Sequence, residues 1–229
     1  MPLMICLVME EWNLLGQVLR EGREMGMIRS RVGLTLSAVA VSVLLASGAG
    51  AATSRSAHVV APPALRPDIV TAIGDSVMID IAPALKRRIP NALIFSQTSQ
   101  QFSSLLGPSG LLAQLRAHRQ LGQVVIIALG TNGTITNPMV NEAMNRLAGA
   151  RKVILATNHG PKTARYACMI NNNRSMKSAT LRFKNVVIAD WDKYSTPYPG
   201  WFYSDGIHMV IDGAGARAYA GLLAVAAAR

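Results

Sequence analysis

The chain has 229 residues, half of them hydrophobic, which is enough for one well-cored domain with additions and too little for two comfortable ones. No repeat of 20–50 residues is visible, which argues against a solenoid or a propeller. The formal net charge of +11 comes with only 5% aromatic residues, and the dense basic clusters are Lys86-Arg87-Arg88 and Arg151-Lys152. A nucleic-acid binder more often interleaves a basic stripe with aromatics, so nucleic acid is not the expected partner. The charge fits contact with an anionic cell envelope.

Arg29 and Arg31 precede an apolar run over residues 32–45, followed by small residues ending in Ala49-Gly50-Ala51. A positive start, an apolar stretch and a small-residue end read as a secretory signal cleaved after Ala51. The run of 14 residues falls short of the roughly 20 that a spanning helix needs. Left uncleaved, it would be a membrane anchor. Residues 1–24 precede this signal and carry four glutamates, so the working start is expected at Met25 or Met27. The expected organisation is a leader over 1–51, a Pro-containing linker over 52–67 and a domain over 68–229. Export to the extracellular space, periplasm or wall follows from the leader. Cys6 lies in the leader, so cleavage would leave Cys168 without a disulfide partner in the same chain. No HExxH, paired CxxC or EF-hand pattern occurs, and neither metal nor cofactor is expected.

Within the domain, apolar runs of strand length alternate with helical patterns. Strands are expected over 69–73, 92–95, 124–129, 153–156 and 186–189, and helices over 77–88, 111–120, 137–147, 169–183 and 213–227. Asn137-Pro138 supplies an N-cap and a first-turn proline for the third helix, whereas Asn171-Asn172-Asn173 weakens the fourth. Continuous apolar strands separated by helices imply a parallel sheet covered on both faces. In such sheets functional groups gather beyond the carboxyl ends of the strands.

Three segments end up there. Gly74-Asp75-Ser76 follows the first strand, Gly130-Thr131-Asn132-Gly133 follows the third, and Asp205-Gly206-Ile207-His208 comes after the fifth. A serine hydroxyl needs an adjacent base, and Ser76 also opens a helix whose free N–H groups favour a developing oxyanion. A carboxylate three residues before a histidine can fix the imidazole tautomer and leave the other ring nitrogen facing the serine. The Asn132 amide can donate to an oxyanion. Taken singly, Asp75-Ser76 also fits an ordinary helix cap, and Asn132-Gly133 a turn.

Together, in this order and at these separations, the three blocks resemble the SGNH (GDSL-type) hydrolase superfamily. The runs 73–78, 129–133 and 201–208 are more narrowly similar to the extracytoplasmic SGNH domains of membrane acyltransferases that O-acetylate cell-wall glycans. The resemblance implies a flavodoxin-like, three-layer α/β/α sandwich on a parallel five-stranded sheet. It also implies Ser76 as nucleophile, His208 as base, Asp205 as its orienter, and an oxyanion hole made by the Ser76 N–H and Asn132. An ordinary α/β-hydrolase fits less well, since Met78 stands where Gly-x-Ser-x-Gly requires its last glycine.

The sequence departs from the superfamily pattern at two loops. Residues 95–101 lack the glycine of the usual second block, leaving Ser99 as the positional match for the third oxyanion donor. The loop at 158–162 lacks the aromatic expected in that branch and offers His159 for substrate contact. The leading expectation is a secreted serine esterase that removes O-acyl groups, chiefly O-acetyl, from wall or other polysaccharide or from a small ester. Without a fused membrane acyl donor in this chain, hydrolysis leads over transfer to a sugar hydroxyl, which would need a separate membrane donor. The altered second block keeps open a non-catalytic glycan-binding module on the same fold.

Overall fold

The computed structural model describes residues 62–228. The leader and most of the linker expected from the sequence lie outside the described residues. Eleven regular elements follow in order: β1 (Arg66–Gly74), α1 (Ser76–Arg88), β2 (Ala92–Ser96), α2 (Leu111–Ala117), β3 (Gly122–Ala128), α3 (Asn137–Arg146), β4 (Lys152–Ala156), α4 (Ala167–Ser178), β5 (Val186–Ala189), α5 (Trp191–Ser195) and α6 (Ala214–Ala228). All strand pairs are parallel, in the order β2-β1-β3-β4-β5. This is the flavodoxin-like order, in which the chain reverses its direction of sheet growth between β1 and β3.

Period-2 alternation within the apolar runs explains the layers. Val124, Ile126 and Ala128 face one side, where they join Met78, Ile81 and Leu85 of α1 and Ala216, Ala220 and Leu223 of α6. Val125, Ile127 and Leu129 face the other, with Leu112 and Leu115 of α2, Val140 and Met144 of α3, and Met176 of α4. Each strand thus feeds two cores, which is why its sequence is continuously apolar. Gly74 sits level with Ser96 of β2 and Ala128 of β3. The loops leaving β1, β2 and β3 therefore start from one common edge.

Some boundaries move for local reasons. β1 begins at Arg66, before the expected residue 69, and its pairing with β3 shifts register between Arg66 and Val70, next to Pro67; proline in strands favours such irregular ends. α2 stops at Ala117, and Arg119 turns the chain with φ of 56°. The N-cap of α3 is Thr136, whose hydroxyl accepts from the Met139 N–H, one residue before the expected Asn137. α4 spans Ala167–Ser178, and a 3₁₀ turn at Ala179–Leu181 takes up most of its expected end. Cys168 lies near the start of α4, and Cys6, with the rest of the expected leader, lies outside the described residues.

The basic clusters do structural work. Lys86 Nζ donates to the Ala92 carbonyl at 2.7 Å, and Arg87 pairs with Asp212. Lys152 is buried and donates to the carbonyls of Ala226 and Ala227, both at 3.2 Å, where it caps the negative end of α6. Among the described residues, no helix is long and apolar enough to cross a membrane.

Candidate active site

Ser76 is the first residue of α1, and Asp75 is its N-cap, with Oδ1 accepting from the Val77 N–H at 3.0 Å. The cap reading and the reactive-serine reading of this motif are therefore compatible. Gly74 is required at the corner because a Cβ there would lie 2.3 Å from Cβ of Met78, the residue that packs α1 onto the sheet. The backbone N–H of Ser76 belongs to the first turn, where helix N–H groups have no intrahelical acceptor.

His208 Nε2 lies 2.8 Å from Ser76 Oγ, and Nδ1 lies 2.7 Å from Asp205 Oδ2. An ionised carboxylate only accepts, so Nδ1 carries the ring proton and Nε2 is left to accept from the serine hydroxyl. Partial burial opposes the Asp205 charge. The His208 ring and the backbone N–H groups of Ile207 and His208 outweigh it and hold the carboxyl below its ordinary 3.8. Asp205 Oδ1 accepts those two N–H groups at 2.8 and 3.0 Å. Residues 204–209 form a loop rather than a helical turn, closed by the Tyr203 N–H donating to the His208 carbonyl at 2.8 Å and by a bridge between Phe202 and Met209.

Asn132 stands on the loop after β3. Its Nδ2 is 3.2 Å from Asp75 Oδ2 and 3.0 Å from Thr131 Oγ1, and the Thr131 hydroxyl itself donates to Asp75 Oδ2. The Asn132 amide is thus anchored beside the buried Asp75–Thr131 pair. Asp75 is almost fully buried; that burial pushes its carboxyl up, against the lowering effect of the bonds from Thr131, Val77 and Asn132.

Ser99 lies in the loop after β2 with φ of 60°, a left-handed conformation that glycine adopts most easily. The backbone shape at this position is thus one that glycine favours, held here by a serine. His159 is largely buried: its ring stacks on Phe202 with centroids 4.5 Å apart, and Nδ1 is 3.1 Å from Asp192 Oδ1. Together with Asp75, Thr131 and Ile207, it lines a small cavity of about 10 Å³ at the same sheet edge.

Two features escaped the sequence reading. Asp80, one turn beyond Ser76 on α1, accepts the Met209 N–H at 3.0 Å and so ties the serine helix to the histidine loop. Burial raises the Asp80 carboxyl, with Met209 and His208 opposing and Asp205 adding to the rise. Asn172 and Asn173 of α4 turn inward onto the loops after β3 and β4. Neither position belongs to a local pattern that names a partner more than 14 residues away. Among the described residues no cluster of His, Cys, Asp or Glu is arranged to hold a metal.

No family model matches the chain. The chain is 33% identical over 152 residues to the O-acetyltransferase OatA of Staphylococcus aureus (strain NCTC 8325 / PS 47), covering 66% of this chain and 24% of that protein. It is 31% identical over 145 residues to the putative peptidoglycan O-acetyltransferase YrhL of Bacillus subtilis (strain 168), covering 63% and 22%. The match thus spans about a quarter of the length of these curated relatives. Among solved structures, the C-terminal catalytic domain of Streptococcus pneumoniae peptidoglycan O-acetyltransferase A, carrying a methylsulfonyl adduct, superposes with a TM-score of 0.63 at 25% identity, covering 70% of this chain and 93% of that one. A putative SGNH hydrolase from Slackia heliotrinireducens shares the fold, with a TM-score of 0.54 at 16% identity over 71% of this chain and 98% of that one. The chain thus resembles the O-acetyltransferases, and in particular the catalytic domain of the pneumococcal one, on a fold that it shares with an SGNH hydrolase.

Proposed function

We propose that this domain moves O-acetyl groups through an acetyl-enzyme on Ser76 and passes them to a hydroxyl of a cell-wall glycan. The observation that carries this reading is the unbroken relay from Ser76 Oγ through the His208 ring to Asp205, with distances of 2.8 and 2.7 Å. The Ser76 proton passes to His208 Nε2 as Oγ forms a bond to the ester carbonyl carbon. The oxyanion is held by the Ser76 N–H and the Asn132 amide, with Ser99 supplying the third donor from the loop after β2. Collapse breaks the carbon–oxygen bond to the donor, whose oxygen takes the proton from His208. Acetyl-Ser76 remains. An acceptor hydroxyl then gives its proton to His208 as its oxygen bonds to the acetyl carbon, the bond from that carbon to Ser76 Oγ breaks, and Oγ takes the proton back from His208. Asp205, held well ionised, stabilises the imidazolium in both halves.

The acceptor sets the name of the activity. The O-acetyltransferase relatives support a hydroxyl acceptor, and the Bacillus subtilis and Streptococcus pneumoniae peptidoglycan O-acetyltransferases support a wall glycan outside the cytoplasm. The separate membrane acyl donor and the envelope-facing basic surface belong to the same reading. Hydrolysis is the second reading. The His208 and Asp205 side chains are 37% and 41% exposed, so water reaches the relay. His159, fixed by Asp192 and Phe202, is assigned as a wall of the substrate crevice.

The test is turnover of p-nitrophenyl acetate by the wild-type protein and by Ser76→Ala, followed by intact mass. The reading expects an acetyl adduct of about 42 Da on the wild type alone. Faster decay of that adduct with an added wall oligosaccharide, and an acetylated sugar as product, marks transfer; decay indifferent to the sugar marks hydrolysis. Equal turnover by wild type and Ser76→Ala overturns both.

A further inference from the structure

Three consecutive asparagines lie in the middle of α4, a position where their helix propensity is poor. Two of them are buried, Asn172 completely and Asn173 at 7% exposure. Asn172 Oδ1 accepts from the Ile135 N–H at 2.6 Å, while Nδ2 donates to the carbonyls of Gly130 at 2.9 Å and Gly133 at 2.8 Å. Asn173 Oδ1 accepts from the Asn158 N–H at 2.7 Å, and Nδ2 donates to the Asn158 carbonyl at 2.9 Å. Neighbouring residues of one helix therefore fasten two different loops. One carries Thr131 and Asn132, and the other carries Asn158 and His159.

The loop after β3 leaves the sheet with three backbone groups that no strand satisfies, and a single amide satisfies all three. Gly130 and Gly133, with φ of 125° and 129°, turn their carbonyls towards that amide. The two loops also touch: a Cβ on Gly130 would lie 2.4 Å from Asn158 Nδ2. Removing the Asn172 amide leaves two carbonyls and one N–H buried without partners, a cost that a loop escapes only by moving. An oxyanion donor works at about 2.7–3.1 Å from the developing charge, and a misplacement of about 1 Å can cost 10²-fold, so such movement is felt at the reacting atom.

Building on the proposed acetyl transfer, we propose that Asn172 is a positioning residue for the oxyanion donor, acting through the loop it encloses to set the Asn132 amide. Its effect passes through Asn132, so the two substitutions must not be additive. The experiment is a double-mutant cycle on p-nitrophenyl acetate with Asn172→Ala, Asn132→Ala and both together, with Met176→Ala as a control. Met176 is buried on the same helix and packs in the core beneath it. Thermal unfolding of each variant accompanies the kinetics.

Asn172→Ala is expected to lower kcat roughly 10- to 100-fold with KM within about threefold, because the amide it positions acts on the tetrahedral state. In the Asn132→Ala background the same change is expected to lower kcat by less than about threefold. Met176→Ala is expected to lower the melting temperature and leave kcat near the wild-type value. Asn172→Ser, which keeps a short hydrogen-bonding group, carries the same cycle where the alanine variant does not stay folded. Equal losses in both backgrounds, or a kcat loss matched by Met176→Ala, overturn the inference while the acetyl-transfer reading stands. Wild-type turnover no faster than that of Ser76→Ala overturns that reading and the inference with it.

Discussion

The two halves of the reactive pair are held in different ways. Ser76 stands where a buried strand runs straight into a helix, fixed by Gly74, by the Asp75 cap and by Met78 packed against the sheet. His208 stands on an irregular loop, between buried Ile207 and Met209, that polar contacts help to shape. These are two N–H groups held by Asp205, one held by Asp80, and the Tyr203 N–H on the His208 carbonyl. The nucleophile is placed by regular structure and hydrophobic packing. The base is placed by its two buried neighbours in the chain and by a few hydrogen bonds, each worth about 0.5–1.5 kcal/mol net. Substitutions around Ser76 should therefore act through the fold, and those around His208 through alignment.

The largest effect tests the pair itself. Ser76→Ala or His208→Ala should lower kcat/KM for p-nitrophenyl acetate by roughly 10³-fold or more with little change in melting temperature. Asp205→Asn breaks the comparison from the loop side. It replaces the acceptor of the Nδ1 proton and should lower kcat by about 10³- to 10⁴-fold, as expected when an imidazole loses its orienting carboxylate. Asn132→Ala is next, at about 10²- to 10³-fold in kcat, the scale for a lost oxyanion donor.

Asp80→Ala sharpens the contrast. The Met209 N–H loses its acceptor and the loop loses its link to α1, for an expected fall in kcat of about fivefold, the scale of one hydrogen bond. Asp80→Asn keeps an acceptor oxygen and should restore most of that rate. Failure of the asparagine to do so would show that the charge beside His208, rather than the link, matters.

The smallest effect lies on the serine side and concerns pH. Burial raises the Asp75 carboxyl above its ordinary 3.8, so the folded chain holds that proton more tightly than the unfolded one. Its contribution to stability is complete below 3.8 and is lost as pH rises through the folded value. Asp75→Asn removes this titration. Urea unfolding of both proteins across that window should show the difference moving in the variant's favour as pH rises; parallel curves would contradict the raised carboxyl.

This contrast also explains what was legible in the sequence. The strands after which Ser76 and Asn132 follow are apolar runs, broken only by Thr71 in the first, and the order of elements needed no distant information. The placement of Ser76 and Asn132 at one sheet edge follows from that order alone. The short helix α5, five residues long, left no period to read. Asn172 and Asn173 look like helix-weakening polar residues until the loops they hold are in place, since their partners lie 15 to 42 residues away. Asp80 looks like a solvent-facing residue of an amphipathic helix for the same reason, with its partner 129 residues on. Hydrophobic patterning is written locally. The polar contacts that align the histidine and the oxyanion loop are not.

The most direct measurement is the site of covalent labelling by a serine-directed sulfonyl fluoride, read by peptide mass mapping on the wild type and His208→Ala. The relay predicts one adduct, on Ser76, formed quickly by the wild type and at least about a hundredfold more slowly without the imidazole. A label on another residue, or equal labelling of Ser76 in both proteins, would contradict it.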